Sequence, residues 1–243
     1  MGRNLIVGDI HGHYSELMEL LEKAGFADSD TLYAVGDYTD RGKENIKVLR
    51  FLMGMKNFKG VAGNHDLFLQ TWLLTANDNW LWALRNGGQS TIDDFINSKV
   101  SMLECTEIAY WLKDLPAVRI EDKYIIVHGG VGKLTMKDLF EAEKAERNID
   151  GGGEYDDYLL WDRSYMLSAL EKKEKMSVIR IKSMVSPLDT DGRMIFSGHT
   201  PTYNALPFIS NEYHLAAIDT GAGHNMKLTL MDMDSLEYWQ CDA

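Results

Sequence analysis

Three short apolar runs end in Gly followed by a polar residue that can bind a metal or move a proton. They are Gly8-Asp9-Ile10-His11, Gly36-Asp37 and Gly63-Asn64-His65-Asp66. Two later runs end in His128-Gly129-Gly130 and Gly198-His199-Thr200. The donors are carboxylate, amide oxygen and imidazole, with no thiolate among them. That mix suits Mn, Fe or Zn better than Ca or Mg. Taken singly, an Asp after Gly is often a turn former or helix cap, and a lone His a solvated side chain. Five repetitions of the same placement point to one site, with Asp9, His11, Asp37, Asn64, His128 and His199 as its ligands. The chemistry of such a set is metal-assisted hydrolysis.

Positioning these residues takes a particular set of elements. The runs Asn4–Val7, Thr31–Val35 and Lys59–Ala62 read as strands. Amphipathic stretches follow them, with Leu17, Leu20, Leu21 and Ala24 at helical spacing before Gly25, and later Ile46, Leu49 and Leu52. Strands alternating with helices predict βαβ units and a largely parallel sheet, with ligands gathered at one sheet edge beyond the strand ends. Residues 67–115 read as mainly helical, interrupted by a turn at Asn86-Gly87-Gly88. The Trp-rich part of that stretch reads as core or groove wall. A strand is expected at Lys123–Val127, and a helix from Leu134 to Arg147 with Thr135 and Asp138 near its start. Gly151-Gly152-Gly153 then opens an acidic loop carrying Glu154, Asp156 and Asp157, which would favour basic substrates if it borders the cleft. Strands return at Met194–Phe196, His214–Ile218 and Lys227–Met231, and the close spacing of the last two suggests a hairpin.

The chain has 243 residues, 45% hydrophobic and 26% charged, with net charge −12 and pI about 5.0. That size suits one domain over 1–243, with an irregular segment at about 133–182 near the cleft. So acidic a surface repels nucleic acid, and a phosphate substrate needs local positive charge from cations and arginines. Leu5-Ile6-Val7 runs at once into Gly8-Asp9, leaving no room for a signal peptide's apolar region. No run approaches the ~18 apolar residues of a membrane span. The expectation is a cytoplasmic protein with no membrane partner. Cys105 and Cys241 lie in no metal or redox spacing and read as structural thiols.

Gly8-Asp9-Ile10-His11-Gly12, Gly36-Asp37-Tyr38-Thr39-Asp40-Arg41-Gly42 and Gly63-Asn64-His65-Asp66 resemble the three motifs of the phosphoprotein phosphatase family, part of the calcineurin-like metallophosphoesterases. His128-Gly129-Gly130 and Gly198-His199-Thr200-Pro201 match its later histidine motifs. Trp82 to Gly88, Trp161-Asp162-Arg163 and Ile218-Asp219-Thr220-Gly221 resemble the compact serine/threonine phosphatases of phages and bacteria. The resemblance runs from about residue 4 to 232 and implies an α/β fold, a four-layer sandwich of two mixed sheets flanked by helices. It implies two divalent transition-metal ions, most often Mn, with Fe or Zn as alternatives. Asp9, His11 and Asp37 would hold the first. Asp37 would bridge to the second, completed by Asn64, His128 and His199. A hydroxide generated between them would attack phosphorus in line. His65 would be the general acid, Asp40 its orienting carboxylate, and Arg41 and Arg163 the phosphoryl clamps. Thr39 stands where Val is usual, and Asp66 where the eukaryotic phosphatases have Glu. Bacterial relatives that share this Asp include symmetrical dinucleoside tetraphosphatases. The implied function is therefore serine/threonine phosphatase, acting on phosphorylated protein, peptide or small phosphoesters. The alternative is a symmetrical bis(5'-nucleosyl)-tetraphosphatase. An inactive phosphate-binding module of the same fold is disfavoured by the intact ligand set. His13 reads as a capping or neighbouring residue, His214 as part of a strand, and His224 as a turn residue that could reach the site.

Overall fold

The computed structural model describes residues 2–76, 80–147, 153–174 and 184–243. Among them, ten strands form two five-stranded sheets packed face to face. In the first sheet β1 (Asn4–Val7), β2 (Thr31–Ala34) and β3 (Phe58–Gly60) run parallel, and β9 (Lys227–Asp232) and β10 (Tyr238–Asp242) extend it antiparallel beyond β1. In the second sheet β5 (Tyr124–Val127), β6 (Met194–Ser197) and β8 (Leu215–Ala217) run parallel, with β4 (Val118–Ile120) and β7 (Phe208–Ser210) antiparallel at its edges.

Alternation of side chains along the strands builds the layers. Ile6, Val35, Ile126, Phe196 and Met231 fill the space between the sheets. Leu5 and Val7 point the other way, onto α1 (Tyr14–Lys23) and α2 (Asn45–Gly54). Ile125 and Val127 face α7 (Met136–Lys144) and α9 (Ser164–Glu174). The result is the four-layer sandwich of two mixed sheets, helices outside. Helix α1 ends as expected: Gly25 adopts φ 59°, and Gly25 and Phe26 donate to the Glu22 and Leu21 carbonyls. Helix α7 starts on a capping box between Thr135 and Asp138. The helical stretch resolves into α3 (Asn64–Thr75), α4 (Trp80–Arg85), α5 (Gly88–Asn97) and α6 (Met102–Asp114). Residues 77–79 of that stretch lie outside the described residues, as do 148–152, with Gly151 and Gly152, and 175–182 of the irregular segment.

Two expectations need correction. The runs at His214–Ile218 and Lys227–Met231 are not a hairpin. β8 pairs with β6 and β7, whereas β9 pairs with β1 and β10 in the other sheet. Gly221, at φ 89°, and a 3-10 turn at Ala222–His224 carry the chain across between them. The ligand-bearing strand ends also do not share one sheet edge. Three belong to the first sheet and two to the second, and the sandwich brings the two rims together.

Candidate metal centre

All ten sequence-predicted site residues meet where these rims converge. Asp9 and His11 follow β1, Asp37 to Arg41 follow β2, and Asn64 and His65 open α3 after β3. His128 follows β5 and His199 follows β6. His11, Asp37, Asp40, Arg41 and His199 all have φ between 46° and 77°, the left-handed region that non-glycine residues rarely occupy. Turns this sharp let strand ends present consecutive side chains to one point.

Asp37 is the hub. His11, Asp37 and His65 bring nitrogen and oxygen atoms within 4.8 Å of one another, and so do Asp37, His128 and His199. Both trios are buried and share this one carboxylate. His128 Nε2 is 3.3 Å from Asp37 Oδ1 and 2.9 Å from Asn64 Oδ1. Its Nδ1 meets the Val35 carbonyl at 2.9 Å, which fixes the ring. His11 is fixed likewise by its Nδ1 on the Thr39 carbonyl at 2.8 Å. Asp9 lies outside both trios, and its Oδ2 accepts the His199 amide at 3.0 Å.

The donor chemistry fits divalent cations. Asp9, Asp37, Asp66 and Asp219 are all buried in one neighbourhood. Burial, then Asp219, raises the Asp9 carboxyl well above its usual range. Burial and Asp37 lift Asp66 to about 7, and burial lifts Asp219 to about 6. Asp37 goes the other way: against the cost of burial, the imidazoles of His128, His65 and His11 hold it well below the usual range. The same carboxylates, Asp37 first, outweigh burial at His128 and raise it to about 9. Burial and the cations His128 and Arg163 push His199 down to about 2. Concentrated buried carboxylate of this kind calls for positive charge.

Around the trios sits a second set of groups. His65 Nδ1 is 2.6 Å from Asp40 Oδ2, and its Nε2 is 3.1 Å from Arg41 Nη2. Arg41 Nη1 reaches His11 Nε2 at 3.0 Å and His224 Nε2 at 3.4 Å, so His224 does border the site. Arg163 Nη1 donates to the His199 carbonyl at 2.8 Å. Asp162 beside it accepts the Ser164 and Tyr165 amides at the start of α9. The expected acidic loop instead opens a short helix, α8 (Asp156–Leu159); Asp156 is buried, and its carboxylate accepts the Gly153 amide. His13 pairs loosely with Glu16.

By sequence Asp66 reads only as a family marker. In the structure it is a physical tie. Its carboxylate accepts the amides of Gly63, Asp37 and Tyr38 at 2.7, 2.8 and 2.9 Å. It therefore welds the second motif to the third. Asp219, Phe68 and Trp161 were also not assigned to the site. Trp161 packs edge-on to His199 and Phe68, at ring separations of 5.9 and 5.7 Å, and is 41% exposed. Its motif was legible, its place on the rim was not. A cleft of about 420 Å³ opens beside Arg41, lined also by His13, Lys43 and Gly223. A larger cleft, about 1190 Å³ between α1 and α2, shares no residue with the site.

This fold and rim of donors define a metallophosphoesterase, and comparison with known proteins agrees. Residues 2–203 match the calcineurin-like phosphoesterase family, and the chain belongs to it. It is 33% identical over 172 residues to a symmetrical bis(5'-nucleosyl)-tetraphosphatase of Buchnera aphidicola, covering 68% of this chain and 58% of that protein. A serine/threonine-protein phosphatase 2 of Salmonella typhimurium is also 33% identical over 172 residues, covering 68% and 70%. The chain spans 55% and 58% of the length of the tetraphosphatases it matches in Proteus mirabilis and Buchnera. In structure it resembles a protein serine/threonine phosphatase from Saccharomyces cerevisiae, with TM-score 0.61, 16% identity, and cover of 100% and 80%. No described helix is long and apolar enough to cross a membrane.

Proposed function

We propose that this chain is a metal-dependent hydrolase of phosphoric esters and anhydrides, and that its substrate is a dinucleoside polyphosphate cleaved symmetrically. The observation that carries the hydrolase reading is the buried Asp37 carboxylate shared between His11 on one side and His128 and His199 on the other. The substrate reading is supported by the tetraphosphatases among its relatives, in Proteus, Buchnera and Shewanella among others. The cleft beside Arg41 and the exposed Trp161 suit it too: 420 Å³ is room for a nucleoside, and an indole face stacks a base.

When bound, two divalent cations, Mn in our reading, supply Lewis acidity to the phosphoryl oxygens and a hydroxide nucleophile near neutral pH. Asp9, His11 and Asp37 would hold one, and Asp37, Asn64, His128 and His199 the other. Asp37 supplies the negative charge that two neighbouring dications need. Arg41 and Arg163 grip the phosphoryl oxygens, for which a planar fork of donors is well shaped. Asp40 holds His65 Nδ1, so that Nε2 can carry a proton to the leaving oxygen.

One observation favours a second reading, a serine/threonine phosphatase. A nucleoside diphosphate departs as a stable anion, whereas the alkoxide of phosphoserine needs a proton. The buried His65–Asp40 pair, at 2.6 Å, is built to deliver one. The even cover of the Salmonella phosphatase points the same way. The test is kcat/KM for diadenosine tetraphosphate and for a phosphoserine peptide, both with Mn²⁺. We expect at least tenfold preference for the dinucleotide, ADP as its sole product, and a KM for it raised about tenfold in Trp161→Ala. Preference for the peptide by that margin would select the second reading.

A further inference from the structure

We propose that Trp82 and Thr91 are positioning residues for proton transfer, acting through Asp40 on His65. The inference rests on the reading of His65 as general acid. Asp40 is fully buried, and both its oxygens are engaged. Oδ2 accepts the Trp82 indole N–H at 2.6 Å while facing His65 Nδ1 at 2.6 Å. Oδ1 accepts the Thr91 hydroxyl at 2.6 Å. The same hydroxyl accepts the Asp40 amide at 3.0 Å, so Thr91 grips both the backbone and the carboxylate of one residue. Asn45 Oδ1 takes that amide as well, at 2.8 Å. Asp40 sits at φ 77°, a strained conformation held in place by these bonds.

The segment that supplies Trp82 and Thr91 is shaped to hold Asp40. Gly88 leaves room for the indole, since a Cβ there would run into the Trp82 ring. Gly87, at φ 89°, accepts the Arg41 amide on its carbonyl, and a Cβ on it would stand 2.6 Å from Arg41 Cγ. The Asn86-Gly87-Gly88 turn therefore seats the Asp40-Arg41 turn, and α4 and α5 hold the two donors on either side of it. A carboxylate with three charge-assisted partners has one orientation, and so does the imidazole bonded to it. A phenyl ring at 82 or an isopropyl group at 91 would pack in much the same space without donating.

The test compares 2,4-dinitrophenyl, 4-nitrophenyl and phenyl phosphate, esters whose leaving groups need progressively more help from an acid. Trp82→Phe and Thr91→Val should each lower kcat for phenyl phosphate about 10–100-fold, with less than about threefold loss on the dinitrophenyl ester and KM unchanged within about twofold. Thr91→Ser, which keeps the hydroxyl, should restore kcat. An equal loss on all three esters in both variants would overturn the proposal and leave a packing role. His65→Asn separates the underlying reading. If it is steeply leaving-group dependent and Trp82→Phe and Thr91→Val are not, only this proposal fails. If His65→Asn is itself flat, the general-acid reading falls and the proposal with it. Should Trp82→Phe fold poorly, judged by its thermal midpoint and bound Mn, Thr91→Val alone decides.

Discussion

The two rims of the site are held in different ways. On the first sheet, His11, Asp37, His65 and Asp40 are secured by that sheet's own motifs or by α4 and α5. Asp66 takes three amides, Thr39 takes His11, and Trp82 and Thr91 take Asp40. On the second sheet, His128 and His199 lean on partners across the sandwich, with Arg163 adding a bond to the His199 carbonyl from their own side. His128 leans on the Val35 carbonyl, and the His199 amide on Asp9. One rim is a network of short consecutive motifs, while the other has its geometry only once the sheets are packed. The histidines of the second rim are therefore as well placed as the inter-sheet core allows, and those of the first as well placed as their own turns allow.

The largest effect should come where the rims join. Asp37→Asn should lose bound metal and more than about 10³-fold of activity, because it removes the charge shared by both trios. Metal analysis after gel filtration, alongside turnover, checks this; full metal retention would mean the rims do not depend on Asp37. Next is Asp66→Ala, which orphans three buried amides on the first rim. We expect a loss of about 3 kcal/mol or more in denaturant unfolding. An unchanged midpoint would show the motif turns to be self-supporting.

The second rim gives a smaller, pH-dependent effect. In the metal-free chain the carboxylates around His128 hold its proton up to about pH 9. A metal takes the neutral imidazole, so uptake below pH 9 releases that proton and affinity rises with pH, by up to about tenfold per unit. Calorimetry of Mn²⁺ binding in buffers of different ionisation enthalpy measures the release, and a release of zero at pH 7 would contradict it. The smallest effect belongs to Thr39. Its hydroxyl is buried and has no hydrogen-bond partner among the described residues. Thr39→Val should stabilise the chain by about 1 kcal/mol without touching turnover, read from the unfolding midpoint.

This contrast also governs what could be read from the sequence. Every candidate ligand of the first rim was legible, because these residues stand in consecutive motifs at the ends of apolar runs. The histidines of the second rim were legible as residues, but the sheet carrying them was not read from periodicity, which implied one parallel sheet. Only the family resemblance supplied the sandwich. The mistaken hairpin has the same origin: about ten residues separate β8 from β9, and nothing local says that Gly221 sends the chain to the other sheet. Asp66, Trp82 and Thr91 were visible as letters without a role, since the second-motif residues they hold lie 28 to 51 positions away.

One site should hold two cations through a shared Asp37. Electron paramagnetic resonance of the protein titrated with Mn²⁺ tests it most directly. Two Mn should bind per chain at saturation, with the exchange-coupled spectrum of neighbouring ions, lost in Asp37→Asn. Saturation at one Mn with an isolated-ion spectrum would contradict it.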